Sequence, residues 1–133
     1  MQKPINQTIL YVDDDEDDRQ LFADALNALN DKITLAEAIN GEKALAYLKK
    51  AKLAKNLPCL IVLDVNMPVM NGKELFEILK KDEELASIPL VVFTTSSRHT
   101  EKEFWGLKGI EMLSKPFKHS DLVHMVEDII KNC

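Results

Sequence analysis

The chain has 133 residues, 46% of them hydrophobic and 29% charged, with four glycines and five prolines, which is the profile of one ordinary folded domain and not of a disordered protein. Its formal net charge is −5 and no Lys/Arg cluster is free of neighbouring acids, so a nucleic-acid phosphate footprint is not expected. No apolar run approaches the ~20 residues of a membrane span, and Met1 to Gln7 lacks the zones of a secretory signal; a cytoplasmic location is the expectation.

In chain order, the first strand-like run is Thr8 to Val12, followed by Asp13 and Asp14. Leu21, Phe22, Ala25 and Leu29 then recur at helical spacing. Asp15 to Asp18 reads as solvated acid at the start of that helix, where negative charge favours the dipole; the run lacks the Gly and terminal Glu of an EF-hand loop. A second run, Ile33 to Ala36, precedes a stripe of Ala44, Tyr47, Leu48 and Ala51, and Lys49 to Lys55 reads as a solvated helix end. Cys59 to Leu63 is continuously apolar, as a strand covered on both faces should be, and it runs into Asp64. Leu75, Ile78 and Leu79 mark the next helix. Leu90 to Phe93 is again apolar throughout and ends at Thr94. Thr100 to Leu107 is the faintest helical pattern, because Trp105 and Gly106 interrupt it. A strand over Ile110 to Leu113 comes shortly before Lys115. The last stripe, Leu122, Val123, Val126, Ile129 and Ile130, predicts a fifth helix that Ser120 or Asp121 could cap. The two cysteines, Cys59 and Cys133, are too few and too far apart in sequence for a disulfide framework or a zinc site. Cys59 is expected to pack as a small hydrophobe and Cys133 to be a tail thiol.

This alternation defines an α/β chain with five strands, mostly parallel, and five helices. Ligands in such sheets bind at the carboxyl ends of the strands. There the sequence places Asp13 and Asp14 after the first strand, Asp64 after the third, Thr94 at the end of the fourth and Lys115 after the fifth. Each residue alone is explained as a helix cap or turn residue; together they point to one site. Three carboxylates at one sheet edge repel by roughly 3 kcal/mol per pair at about 5 Å and an effective dielectric near 20. A hard divalent cation relieves this, and Mg2+, which keeps waters and a substrate phosphate, suits a shallow site. Asp64 ends the most apolar run and precedes a segment that must turn, Val65-Asn66-Met67-Pro68. It is the carboxylate best placed to attack phosphorus. Thr94 offers a hydroxyl and Lys115 a compact cation for the oxygens of the transferred group, and the backbone carbonyl of Asn66 is a candidate third protein ligand for the metal.

These residues, in this order, resemble the receiver domain of bacterial two-component response regulators, of the stand-alone chemotaxis-regulator type. The resemblance covers nearly the whole chain. It rests on Ile9-Leu10-Tyr11-Val12-Asp13-Asp14, on Leu63-Asp64-Val65-Asn66-Met67-Pro68 with Met70 and Gly72, on Val92-Phe93-Thr94-Thr95, and on Lys115-Pro116-Phe117. It implies a doubly wound parallel sheet of order 2-1-3-4-5, forming one receiver domain over residues 1–133 with a core of about 7–131 and no separate output domain. It further implies that Asp64 accepts a phosphoryl group from a sensor histidine kinase or phosphotransfer protein. Asp14 and Asp64 would bind Mg2+ directly and Asp13 mainly through water, while Thr94 and Lys115 sense the modification. Output would pass to a downstream protein, from a monomer or weak homodimer. In such domains the Lys115-Pro116 bond is usually cis, and the residues at the positions of Asn66 and Ser96 tune the phosphoryl lifetime. One departure concerns the family's aromatic switch: its position holds Met112, and the interval Gly109 to Lys115 is one residue short, so a flexible Met is expected where a ring would flip.

His99, His119 and His124 lack the spacing of a zinc site or a catalytic triad and read as surface or capping residues. Trp105, Phe104 and Met112 read either as a partner-binding face or as packing. Two rival functions follow from the same residues. A haloacid-dehalogenase-like phosphatase also places a nucleophilic Asp after a buried strand, but needs a second Asp two residues on as acid and base, where this chain has Asn66. A receiver-like binding module without phosphorylation would not need every acceptor, metal and sensing position to be filled, as they are here.

Overall fold

The computed structural model describes residues 7–30, 32–65, 67, 70–95 and 99–133. Five strands, β1 (Gln7–Val12), β2 (Ile33–Ala38), β3 (Leu60–Leu63), β4 (Leu90–Thr94) and β5 (Glu111–Ser114), form one sheet in the order β2-β1-β3-β4-β5. All of the pairings are parallel. The helices are α1 (Glu16–Leu29), α2 (Gly41–Leu53), α3 (Gly72–Lys80), α4 (Glu83–Ala86), α5 (His99–Leu107) and α6 (His119–Ile129), the last running into a 3-10 turn over Ile130–Asn132.

Strand alternation divides the core in two. Ile9, Tyr11, Leu60, Val62, Val91 and Phe93 face α1 and α6, whose Phe22, Leu26, Val126 and Ile129 cover them. Leu10, Val12, Ile61, Leu63 and Val92 point the other way, onto Leu48 of α2, Leu75 and Phe76 of α3 and Trp105 of α5. The middle of the sheet is buried on both sides, which is why Leu60–Leu63 and Leu90 to Phe93 carry no polar residue.

Several expectations need correction. Among the described residues there are six helices, not five: Asp82 accepts from the backbone N–H of Glu84 and Leu85 and starts the single turn α4, which is too short to produce a periodic stripe. α6 begins at His119 on Lys118, with no side-chain cap; Ser120 and Asp121 lie inside its first turn, where Asp121 still favours the dipole. α5 starts a residue earlier than its pattern suggests, and its Trp105 is fully buried against Phe76, so packing is the correct reading for that residue. The described residues contain no cis peptide bond, so Lys115-Pro116 is trans; the two isomers of an X-Pro bond are close in energy and local packing selects between them.

The cysteines are the largest surprise. Cys59 and Cys133 form a disulfide, with Cα atoms 4.9 Å apart, inside the range such bridges require. Sequence distance misled because the crossover topology returns the end of α6 to the edge where β3 begins. Met112 is half-buried on β5, opposite Val92, and packs against the core cluster that contains Trp105 of α5.

Candidate functional site

Register builds the site. Val12 pairs with Ala38 on one side and Leu63 on the other, so Asp13 and Asp64 are the next residues on adjacent strands. Their backbones continue the ladder, Asp13 N–H donating to Ala38 O at 3.0 Å and Asp64 N–H to Val12 O at 2.9 Å. Thr94 pairs with Ser114, and Lys115 N–H donates to Thr94 O at 2.9 Å. Beyond β3, the N–H of Gly72 reaches Val65 O at 3.2 Å. A Cβ there would lie 2.8 Å from Val65 Cα, so only glycine permits this approach. Asn71 then caps α3 in a reciprocal box with Glu74.

Five of the expected side chains meet. Carboxylate oxygens of Asp13, Asp14 and Asp64 lie within 4.8 Å of one another. Thr94, fully buried, donates to Asp64 Oδ1 at 2.9 Å, and Lys115 Nζ donates to Asp64 Oδ2 at 3.1 Å and to Asp13 Oδ2 at 2.5 Å. Asp13 and Asp64 are buried while Asp14 faces solvent, so the cluster is open on one side. The expected contribution of the Asn66 carbonyl, and that of Ser96, lies outside the described residues. His99, His119 and His124 are exposed and away from the cluster, as expected.

Three residues were missed. Tyr11, two before Asp13 on β1 and therefore on the same face of the strand, donates its hydroxyl to Asp13 Oδ2 at 2.8 Å. Burial, then the charge and hydrogen bond of Asp13, push this phenol far above its usual range. Period-two alternation was the signal that could have found it. Arg19 donates to the Asp13 carbonyl at 2.8 Å and to Glu37 of β2 at 3.0 Å, clamping the loop that carries the acids. Asp18 does not belong with the solvated acids: its carboxylate takes a bond from Lys115 Nζ at 2.8 Å. Burial opposes the charge on Lys115, but the hydrogen bonds to Asp13 and Asp18 and the field of Asp64 outweigh it, and the ammonium is held above the usual lysine range.

The donor set fits a hard divalent cation. All three acids are oxygen ligands, two are desolvated, and one ammonium cannot balance them.

A doubly wound parallel sheet with acids, a hydroxyl and a lysine gathered at its carboxyl edge defines a class of α/β domains with one polar site at that edge. The match is closer than that: residues 9–127 fit the model of the response regulator receiver domain, and the chain belongs to that family, the receiver domain of two-component response regulators. The response regulator Rcp1 of Synechocystis is 31% identical over 92% of this chain and 86% of its own length. The Mn2+-bound form of Rcp1 superposes with a TM-score of 0.80 at 30% identity, covering 92% of this chain and 91% of that one. The phosphorylated cyanobacterial phytochrome response regulator RcpA gives 0.83 at 28% identity, covering 95% of this chain and 92% of that one. Longer relatives match through one segment only: the chain is 34% identical to a protein-glutamate methylesterase/protein-glutamine glutaminase of Clostridium acetobutylicum over 92% of its own length but spans 34% of that protein. Of a histidine kinase of Formosa agariphila it spans 9%. No helix among the described residues is long and apolar enough to cross a membrane.

Proposed function

We propose that the chain is a phosphoacceptor switch in which Asp64 takes a phosphoryl group in a Mg2+-dependent reaction. The observation that carries this is the convergence on Asp64: Thr94 Oγ1 on one carboxylate oxygen, Lys115 Nζ on the other, and Asp13 and Asp14 beside it.

Asp13, Asp14 and Asp64 would hold a divalent cation, which would supply the charge that lets an anionic donor approach an anionic nucleophile. A carboxylate oxygen of Asp64 forms the new bond to phosphorus as the bond from phosphorus to the donor histidine nitrogen, or to the oxygen of a small acyl phosphate, breaks; the histidine nitrogen takes up a proton from water, whereas an acyl phosphate departs as its carboxylate. The acyl phosphate so formed carries about two negative charges at neutral pH. Lys115 and Thr94 already touch the oxygens of Asp64, so they meet the new group with little rearrangement. The donor is read as a sensor histidine kinase or phosphotransfer protein and the receiver as a downstream protein bound by the modified state. Residues 1–133 are read as one receiver unit acting in the cytoplasm, as monomer or weak homodimer. The catalysis is limited to accepting and releasing its own phosphoryl group.

Acetyl phosphate with Mg2+ is expected to give one acid-labile phosphoryl adduct, absent in Asp64→Asn and in chelator. A native chain that stays unmodified under the same conditions overturns the reading; sustained turnover of a phosphomonoester replaces it with the phosphatase.

A further inference from the structure

Lys115 is held in a way the phosphoacceptor reading does not by itself require. An ammonium has three N–H donors, and here each meets a different carboxylate: Asp13 at 2.5 Å, Asp18 at 2.8 Å and Asp64 at 3.1 Å. Two of these acids belong to the metal cluster. Asp18 does not: it lies on the first turn of α1, outside the group formed by Asp13, Asp14 and Asp64.

The lysine side chain is only 8% exposed. Beside it and Asp18, a small recess is walled by Tyr11, Leu21, Phe93, Pro116 and Leu122, none of which offers it an acidic partner. If Asp13 and Asp64 turn their oxygens to a cation, an ammonium without Asp18 would be left buried and unpaired. Breaking a buried ion pair in that way is strongly unfavourable. Asp18, whose side chain is 30% exposed, is the third acid already in contact, and it is free of competing metal duty.

We propose that Asp18 is a positioning residue that retains the Lys115 ammonium when Asp13 and Asp64 engage a divalent cation, so that the metal and the lysine can occupy one small site together. This rests on the phosphoacceptor reading for its purpose, though not for its test. Four acids surround this corner against one lysine. The fourth acid does not bind the cation; it keeps the lysine from competing with it. Asp17, one residue earlier, carries the same charge on the same turn but is exposed and makes no bond to Lys115, which supplies the control.

The experiment is Mg2+ titration by calorimetry of the whole chain, without any phosphodonor. Asp18→Asn is expected to weaken Mg2+ binding about tenfold, against less than about threefold for Asp17→Asn, the part due to bulk charge alone. In a Lys115→Met background the extra loss from Asp18→Asn is expected to vanish, because there is no ammonium left to place. Asp18→Glu should recover part of the affinity. In chelator, melting temperatures of the four members of the Asp18/Lys115 cycle are expected to be non-additive by about 3 °C. Equal losses for Asp18→Asn and Asp17→Asn, or a loss that persists in the Lys115→Met background, or additive melting temperatures, would overturn the proposal. Failure of the phosphoacceptor reading looks different: the couplings above hold while acetyl phosphate leaves Asp64 unmodified.

Discussion

The two ends of the sheet are built on opposite principles. At the carboxyl end, strand register brings buried acids side by side, and their repulsion is held in check by Lys115, Thr94, Tyr11 and backbone N–H groups. At the amino end no acids are forced together: a largely apolar cleft of about 350 Å3 is lined by Phe76, Leu79, Leu85, Ile88 and Ile110 on one face, Lys52 pairs with Asp82 at 2.7 Å, and the Cys59–Cys133 bridge ties the start of β3 to the C-terminus. One end is poised for an incoming charge. The other is closed by a covalent link. A parallel sheet permits this division because every strand delivers its polar end to the same edge.

If the division is real, substitutions should separate stability from metal response. The largest expected effect is at the amino end. Cys59→Ser, under non-reducing conditions, should cost roughly 2–4 kcal/mol of stability, the usual worth of a bridge closing a long loop. The rise in melting temperature on adding Mg2+ should be unchanged. A smaller Mg2+ response in that variant would break the comparison. The same loss should follow from adding reductant to the native chain, and its absence in Cys59→Ser on reduction is the control.

Tyr11→Phe comes next and sharpens the other end. It deletes one hydrogen bond to a charged acceptor without changing ring packing on Phe22, and should cost about 1.5 kcal/mol. Unlike the disulfide variant, it should also alter Mg2+ affinity measured by calorimetry, since Asp13 loses the group that orients it. An unchanged affinity would assign Tyr11 to packing alone. The smallest effect is expected for Asn71→Ala, about 1 kcal/mol for a lost helix cap, read by chemical denaturation. Because α3 begins against Val65, its Mg2+ response should fall only slightly.

A rising pH gives a further check on the carboxyl end. The Lys115 ammonium is held above its ordinary range by its acidic partners. Its contribution to stability is therefore complete below the unfolded value near 10.5 and is lost as pH climbs through the raised folded value. In chelator the native chain should lose stability above about pH 10.5 more steeply than Lys115→Met does. Parallel curves would place the lysine's stabilising contacts elsewhere.

The sequence made the architecture legible because its third and fourth strands are unbroken apolar runs up to their last residues and the strands lead into residues of distinct chemistry. Asp13, Asp64, Thr94 and Lys115 could be read from their position after a strand. What could not be read depends on how a helix is rotated or where a crossover returns. Asp18 looked like its neighbours Asp17 and Glu16 until α1 turned it toward Lys115. Cys59 and Cys133 are 74 positions apart and meet only because α6 doubles back beside β3. The single turn at Glu83–Ala86 is too short to repeat the helical period of about 3.6 residues, so no stripe could announce it.

Trp105 is the only tryptophan in the chain. It is wholly enclosed, its ring edge-on to Phe76 and Phe104, and its indole N–H has no hydrogen-bond partner among the described residues. It sits on α5, the helix that follows the loop after Thr94. The molecule thus contains its own fluorophore, in a dry setting where the arrival of water or a polar neighbour shifts emission to the red. Any movement of α5 that admits either can be timed in a stopped-flow cuvette on the unlabelled protein.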